Sequence, residues 1–202
     1  MAAKTSRKRS SKESPDCTGL LVMELQEIHS AESQLARALP RLVKNVEAQN
    51  LKQALEQRLE EGERVLQDVE SALEELEESP GRRKNVVAEG LINHVRERTQ
   101  QIEPGPALDE VLIAGIQKTE HYCIAAWGTA RSLARAVEQK TTVRAMERAL
   151  KEGKSFDEEL TELAQSEITP ALLSRDSEED SPAQERSVRS GRSRGSERHA
   201  TN

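Results

Sequence analysis

Between residues 113 and 137 the chain reads IAGIQKTEHYCIAAWGTARSLARAV, and its apolar positions Ile113, Ile116, Cys123, Trp127, Ala130, Ala134 and Val137 recur in steps of three and four. That spacing places them on one face of an α-helix. Glu120 belongs to the same series. The pattern therefore predicts an inward carboxylate, which is costly to take out of water unless a cation, a proton or hydrogen-bond donors meet it.

The same periodicity appears in three other long segments. From residue 18 to about 49, with Thr18 as N-cap, the seam is Leu21, Leu25, Ile28, Leu35, Leu39, Leu42 and Val46, with Glu32 set among them and Pro40 predicted to kink the helix. A connection around Gln49-Asn50 is so short that the next helix must return antiparallel. Its seam is Leu55, Leu59, Gly62, Leu66, Val69, Leu73 and Leu76, bordered by a stripe of Arg58, Glu61 and Val65 from which Glu61 can turn inward; Pro80-Gly81 ends it. Residues 82–103 carry Val86, Val87, Leu91, Ile92 and Val95, a short amphipathic helix suited to a crossover and closed by Pro104-Gly105-Pro106. After a loop at 138–142, the last helix presents Val143, Met146, Leu150, Gly153, Leu160 and Ala164, with Asp157 in the series and Glu152 and Phe156 on the stripe beside it.

The prediction is an all-α protein: a four-helix bundle over residues 20–170 with a short extra helix in the crossover, flanked by disordered tails at 1–19 and 171–202. Composition agrees, since one Trp, one Tyr and one Phe leave Leu, Ala, Glu, Gln, Lys and Arg to dominate. No apolar run approaches the roughly 20 residues that span a bilayer, so no membrane partner is expected. The basic start lacks the apolar stretch of a secretory signal, and two cysteines make no disulfide framework, which together point to the reducing cytoplasm. The formal charge is −6. Residues 1–19 carry +3 and residues 174–202 carry 0, leaving −9 on the body. Arg- and Ser-containing tails can attract phosphate without reading bases, yet an acidic body opposes close approach, so nucleic-acid binding ranks last among the functions considered.

Four helices, each with an acid on or beside its seam, suggest a specific chemistry. A bundle can bring inward carboxylates from different helices together around two cations, and hard oxygen donors suit iron or manganese. The competing interpretation is a buried ionic network with no metal. No nucleophilic triad, phosphate-binding glycine loop or dinucleotide fingerprint is present.

The strings AESQLARALP at 31–40 and EHYCIAAWGTARSLA at 120–134, with ALEQRLEEGERVLQDVE, AEGLI and ALKEGKSFDEELTELA, resemble the successive helices of the YciE/YciF ferritin-like family of bacterial stress proteins over residues 20–170. The resemblance implies a ferritin-like bundle, a homodimer, a di-iron centre and a role in osmotic or oxidative stress. It implies Glu32, Glu61, Glu120, Glu152 and Asp157 as the metal-facing acids. By helix position, Arg58 shares a stripe with Glu61, Cys123 follows Glu120 on its stripe, Tyr122 is expected on a seam carboxylate from the next stripe, and His29, one turn before Glu32, either joins that level or flanks the seam near the surface. This chain departs from the family pattern at Arg58, where His is usual, at Val65, where Gln is usual, and at Cys123 and Gly153, where Glu is usual. Each departure removes a donor, and Arg58 adds a permanent cation. No Glu-x-x-His pair occurs, although ferritin-like di-iron sites use two.

The leading expectation is thus a di-metal carboxylate protein that oxidises or sequesters Fe(II), with a ferroxidase-type activity on a reduced donor set. The alternative is a metal-depleted ferritin-like scaffold acting as a dimeric interaction protein. His121 points about 100° away from Glu120 on the helix and is a poor co-ligand. Cys123 reads as a small buried hydrophobe or, if Arg58 lies across from it, as a redox thiol.

Overall fold

The computed structural model describes residues 14–179, so the expected tails lie mostly outside the described residues. The order is α1 (Cys17–Val43), α2 (Gln49–Glu75), α3 (Val86–Thr99), α4 (Pro106–Ala136) and α5 (Lys140–Leu163), then a π-helical turn (Ala164–Ile168) and α6 (Thr169–Glu179). No strand occurs among the described residues.

The directions of the helices follow from which seam residues meet. Leu21 and Leu25 of α1 share a cluster with Val69 and Leu73 of α2 and with Trp127 and Ala134 of α4; Leu39 and Leu42 share another with Leu51 of α2 and Leu108 of α4. Hence α1 runs antiparallel to both α2 and α4. By the same test α5 runs antiparallel to α2 and α4, since Met146 and Leu150 lie in the first cluster and Phe156 and Leu160 in the second. It follows that α2 and α4 are parallel, and two parallel neighbours in sequence need a connection as long as the bundle. Residues 76–105, with α3 at their centre, supply it. This is the single-crossover, ferritin-like bundle expected from the sequence.

Several local devices hold the connections. Asp16, not Thr18, caps α1 by accepting from the Gly19 N–H at 2.7 Å. Helix α2 has Ala48 at its N-cap and no capping side chain of its own. Asp109 of α4 serves instead, accepting from the N–H groups of Glu47 (3.1 Å) and Ala48 (2.8 Å), so the first turn of α4 locks the α1–α2 corner. Asn85 caps α3 by accepting from Val87 and Ala88, and its amide donates to the Glu27 carbonyl and the Tyr122 hydroxyl. Where α3 meets α4, a Cβ on Gly115 would overlap Val95, so glycine permits the contact.

The boundaries differ from the sequence reading in four places, one of them the expected loop at 138–142, which is residues 137–139 because α5 already begins at Lys140. The first connection is residues 44–48, and Gln49-Asn50 already belong to α2. Helix α2 stops at Glu75, before Pro80-Gly81, because Glu77 adopts a left-handed conformation (φ 59°) and the Glu78 N–H returns to the Leu73 carbonyl. The last helical stretch continues past residue 170 to Glu179: Ile168 is buried in the core, and Arg175 pairs with Glu47. The seam of α2 is also rotated. Arg58, Glu61 and Val65 are buried while Leu59 and Leu66 are only partly so, because an arginine can face inward when carboxylates are waiting there.

Candidate functional site

The two apolar clusters do not touch as one core. Along each long helix they are separated by about one turn: Glu32 lies between Ile28 and Leu35, Arg58 and Glu61 between Leu55 and Val65, Glu120 between Ile116 and Cys123, and Gly153 between Leu150 and Phe156. A charged layer therefore crosses the bundle. Glu32, Arg58 and Glu120 are each 1% exposed and Glu61 is 7% exposed.

Arg58 is the centre of this layer. Its Nη2 donates to both oxygens of Glu32 (3.1 and 3.2 Å), its Nη1 to Oε2 of Glu32 (3.3 Å), and its Nε to Oε2 of Glu120 at 2.7 Å. The planar guanidinium is shaped for such forked contacts, which a lysine could not reproduce. Its plane also lies 5.5 Å from the Trp127 ring centroid, adding a cation–π contact. The flanking carboxylates hold the Arg58 charge, against the opposing effect of burial. Burial pushes the Glu120 carboxyl up from its ordinary range to about 7, with Arg58 pulling the other way and Glu32 adding repulsion. Among the described residues, Oε1 of Glu120 has no hydrogen-bond partner.

The five acids named from the sequence thus divide. Glu32 and Glu120 meet on Arg58. Glu61 borders them, accepting from Gln57 Nε2 at 2.9 Å and adding to the field at Glu120. Glu152 and Asp157, both partly buried, point away from Arg58: Glu152 pairs with Arg64 at 3.4 Å, while Asp157 meets His121 through Oδ2 at 3.4 Å and keeps Oδ1 buried with no partner among the described residues. Phe156 takes the interior position between them. His29 faces Glu70 across the α1–α2 surface at 3.0 Å. Tyr122, expected on a seam carboxylate, bonds Asn85 instead, because the start of α3 reaches its hydroxyl first. Cys123 is buried, and burial with Glu32 and Glu120 pushes its thiol well above the ordinary range, the reverse of what a reactive thiolate requires. Arg58, placed beside the seam by sequence periodicity, proves to be its centre.

These residues do not fit a di-metal centre. The guanidinium fills the space between Glu32 and Glu120 and uses both oxygens of Glu32 and one of Glu120, and α5 brings only Gly153 to the layer. Among the described residues no three His, Cys, Asp or Glu side chains converge in a metal-holding group. The packing at Gly153 is tight. A Cβ there would stand 2.5 Å from Oε1 of Glu120 and 2.5 Å from Cζ3 of Trp127, and neither the indole nor the pinned carboxylate can move aside. Gly153→Ala should therefore lower stability by about 1–3 kcal/mol. Glycine-to-alanine in a helix ordinarily gains about 1 kcal/mol, so a stabilised variant in urea unfolding would refute the packing described.

Residues 17–173 match the family described as a domain of unknown function, DUF892. Protein YciF of Escherichia coli (strain K12) is 36% identical over 141 residues, which are 69% of this chain and 85% of the relative. The crystal structure of the E. coli stress protein YciF superposes with a TM-score of 0.73 at 32% identity, covering 77% of this chain and 99% of that one. YcfI from Rhodopseudomonas palustris gives 0.70 at 28% identity, covering 75% and 96%. With the single-crossover bundle and these matches together, the chain belongs to the DUF892 family, the YciE/YciF family of bacterial stress proteins.

Proposed function

We propose that this protein is a metal-free member of its family, a ferritin-like scaffold in which the Arg58 guanidinium supplies from within the chain the positive charge that the inward acids require. The observation that carries the reading is the Arg58 fork, bonded to Glu32 and Glu120 at once in a layer sealed on both sides by apolar clusters. A ferroxidase needs carboxylates free to bind iron and a path for the oxidant. Here Glu32 and one oxygen of Glu120 are already committed to Arg58. The protein then acts through its surface, as a structural component or binding partner in the stress response with which its E. coli relative is named. A homodimer in the cytoplasm is the setting we assign to it. Two free cysteines suit a reducing compartment, and no described helix is long and apolar enough to cross a membrane.

The rival reading, Fe(II) oxidation or sequestration on Glu32, Glu61 and Glu120, differs in a direct measurement. Full-length protein incubated with Fe(II) in air and desalted should retain far less than one iron per chain by elemental analysis and show no new near-ultraviolet absorption. Arg58→His, which removes the fixed cation and offers an imidazole, should retain more. Two irons per parent chain would overturn the scaffold reading.

A further inference from the structure

On the opposite side of α1 from the charged layer, α1 and α3 enclose an open groove of about 400 Å³. The two helices run parallel here, since Gln34 bonds the Asn85 carbonyl at the start of α3 while Arg41 and Leu42 line the groove with Ile92 and Arg96 further along. The walls carry Arg37, Arg41, Arg96 and Lys84, against a single acid, Glu89, which Lys84 already holds. None of the ion pairs among the described residues uses Arg37, Arg41 or Arg96.

This concentration of positive charge is unexpected on a chain of net charge −6. Residues 33–46 contain three cations and no acid, whereas the acids of α1, Glu24, Glu27 and Glu32, all precede them. Helix dipoles explain part of it, because Arg41 and Arg96 stand in the last turns of α1 and α3. They do not explain Arg37, which sits mid-helix, or Lys84, which precedes α3.

We propose that the α1–α3 groove binds a short phosphate chain, with Arg37 and Arg41, one helical turn apart, and Arg96 opposite them as its principal contacts. Arginine forks match phosphate oxygens in pairs, and three of them around one concavity suit a ligand carrying several adjacent negative charges. The volume lies at the small end of ligand-sized sites. No aromatic residue lines the groove, so a nucleobase would find nothing to stack on, and recognition falls on the phosphates. Ala38, Leu42 and Ile92 add apolar surface to the same lining. The chain can be free inorganic phosphate or the tail of a nucleotide.

Isothermal titration of the full-length protein with inorganic tripolyphosphate, ATP and adenosine tests this. Tripolyphosphate should bind saturably at one site per chain and adenosine should not bind. ATP binding more tightly than tripolyphosphate would identify a nucleotide, and equal affinities would identify the phosphate chain alone. The variant Arg37→Gln/Arg41→Gln/Arg96→Gln keeps every described ion pair and should weaken tripolyphosphate by about tenfold or more, with an unchanged circular dichroism spectrum. Arg37→Gln alone, at an exposed position, should weaken it in the same direction if the triple variant melts early. Absence of saturable binding, tripolyphosphate affinity that survives these substitutions, or tighter binding of a duplex DNA than of tripolyphosphate at equal ionic strength would overturn the proposal.

Discussion

Replacing Arg58 by alanine is expected to lower the unfolding free energy by about 3–5 kcal/mol at pH 7.5, the cost of leaving buried carboxylates without their cation. The substitution removes four donor contacts from Glu32 and Glu120 and the cation–π contact to Trp127, and opens a void between two apolar clusters. Surface ion pairs elsewhere in the molecule do not compare. Arg64–Glu152, partly exposed on both sides, is of a kind that contributes about 0–1 kcal/mol. The carboxylates freed by Arg58→Ala can relieve part of the loss by taking up protons, so the penalty should shrink as the pH falls towards 5. Chemical denaturation of parent and variant at both pH values measures this. An Arg58→Ala protein with the parent's midpoint at pH 7.5 would show that the guanidinium does not hold the layer together, and the scaffold reading would fail with it.

The periodicity of the apolar residues was enough to read the bundle. It located Glu32 and Glu120 on buried seams and predicted both the antiparallel pairing of the first two helices and the crossover helix. It misjudged α2 for a definable reason. Counting only apolar residues put the seam through Leu59 and Leu66, while the helix in fact turns its Arg58, Glu61 and Val65 stripe inward. A charged residue is buried when a partner on another helix neutralises it, and no pattern within one helix contains that information. The same limit explains Glu152 and Asp157: periodicity put one on the seam and one beside it, whereas Phe156 takes the interior position and each acid finds a basic partner outside.

The departures from the family pattern carried more information than their separate readings suggested. Arg58, Cys123 and Gly153 stand far apart in sequence but meet at one level of the bundle, where each adjusts the space or charge beside Glu120. Arginine is longer than the histidine that the family resemblance puts at this place. The room it needs is consistent with small residues at Cys123 and Gly153, and at Gly62, where a Cβ would approach its Nη1 to 2.9 Å. Val65, the fourth departure, falls one turn away in an apolar cluster, where a glutamine would lack a partner.

Glu120 should make the folded protein less stable as the pH rises through neutrality. Its carboxyl is raised from 4.5 to about 7, chiefly by burial, so between those values the folded protein holds a proton that the unfolded chain has released. A group bound more tightly in the folded state stabilises it fully below the unfolded value, here pH 4.5, and that contribution is lost as the pH passes the folded value near 7. At about 1.4 kcal/mol per unit, the loss from pH 4.5 to above 8 amounts to roughly 3 kcal/mol. The geometry supplies a cause. Arg58 makes its multiple contacts with Glu32 and one with Glu120, and leaves Oε1 of Glu120 against the Gly153 backbone without a donor. A proton on Glu120 lets the layer hold one full ion pair rather than an excess of buried negative charge. Glu120→Gln imitates that protonated form. The variant should cost about 1–2 kcal/mol at pH 5, where the parent is already neutral at this position, because the amide meets imperfect partners. Its stability should then change far less with pH, so that the parent falls below the variant between about pH 6 and pH 7 and stays below it at pH 8.5. Urea unfolding of both proteins from pH 5 to pH 8.5 gives the difference directly, with other titrating groups cancelling between them. Parallel curves over that range would mean that Glu120 does not change its proton occupancy on folding, and a variant that loses stability faster than the parent as the pH rises would reverse the sign of the effect.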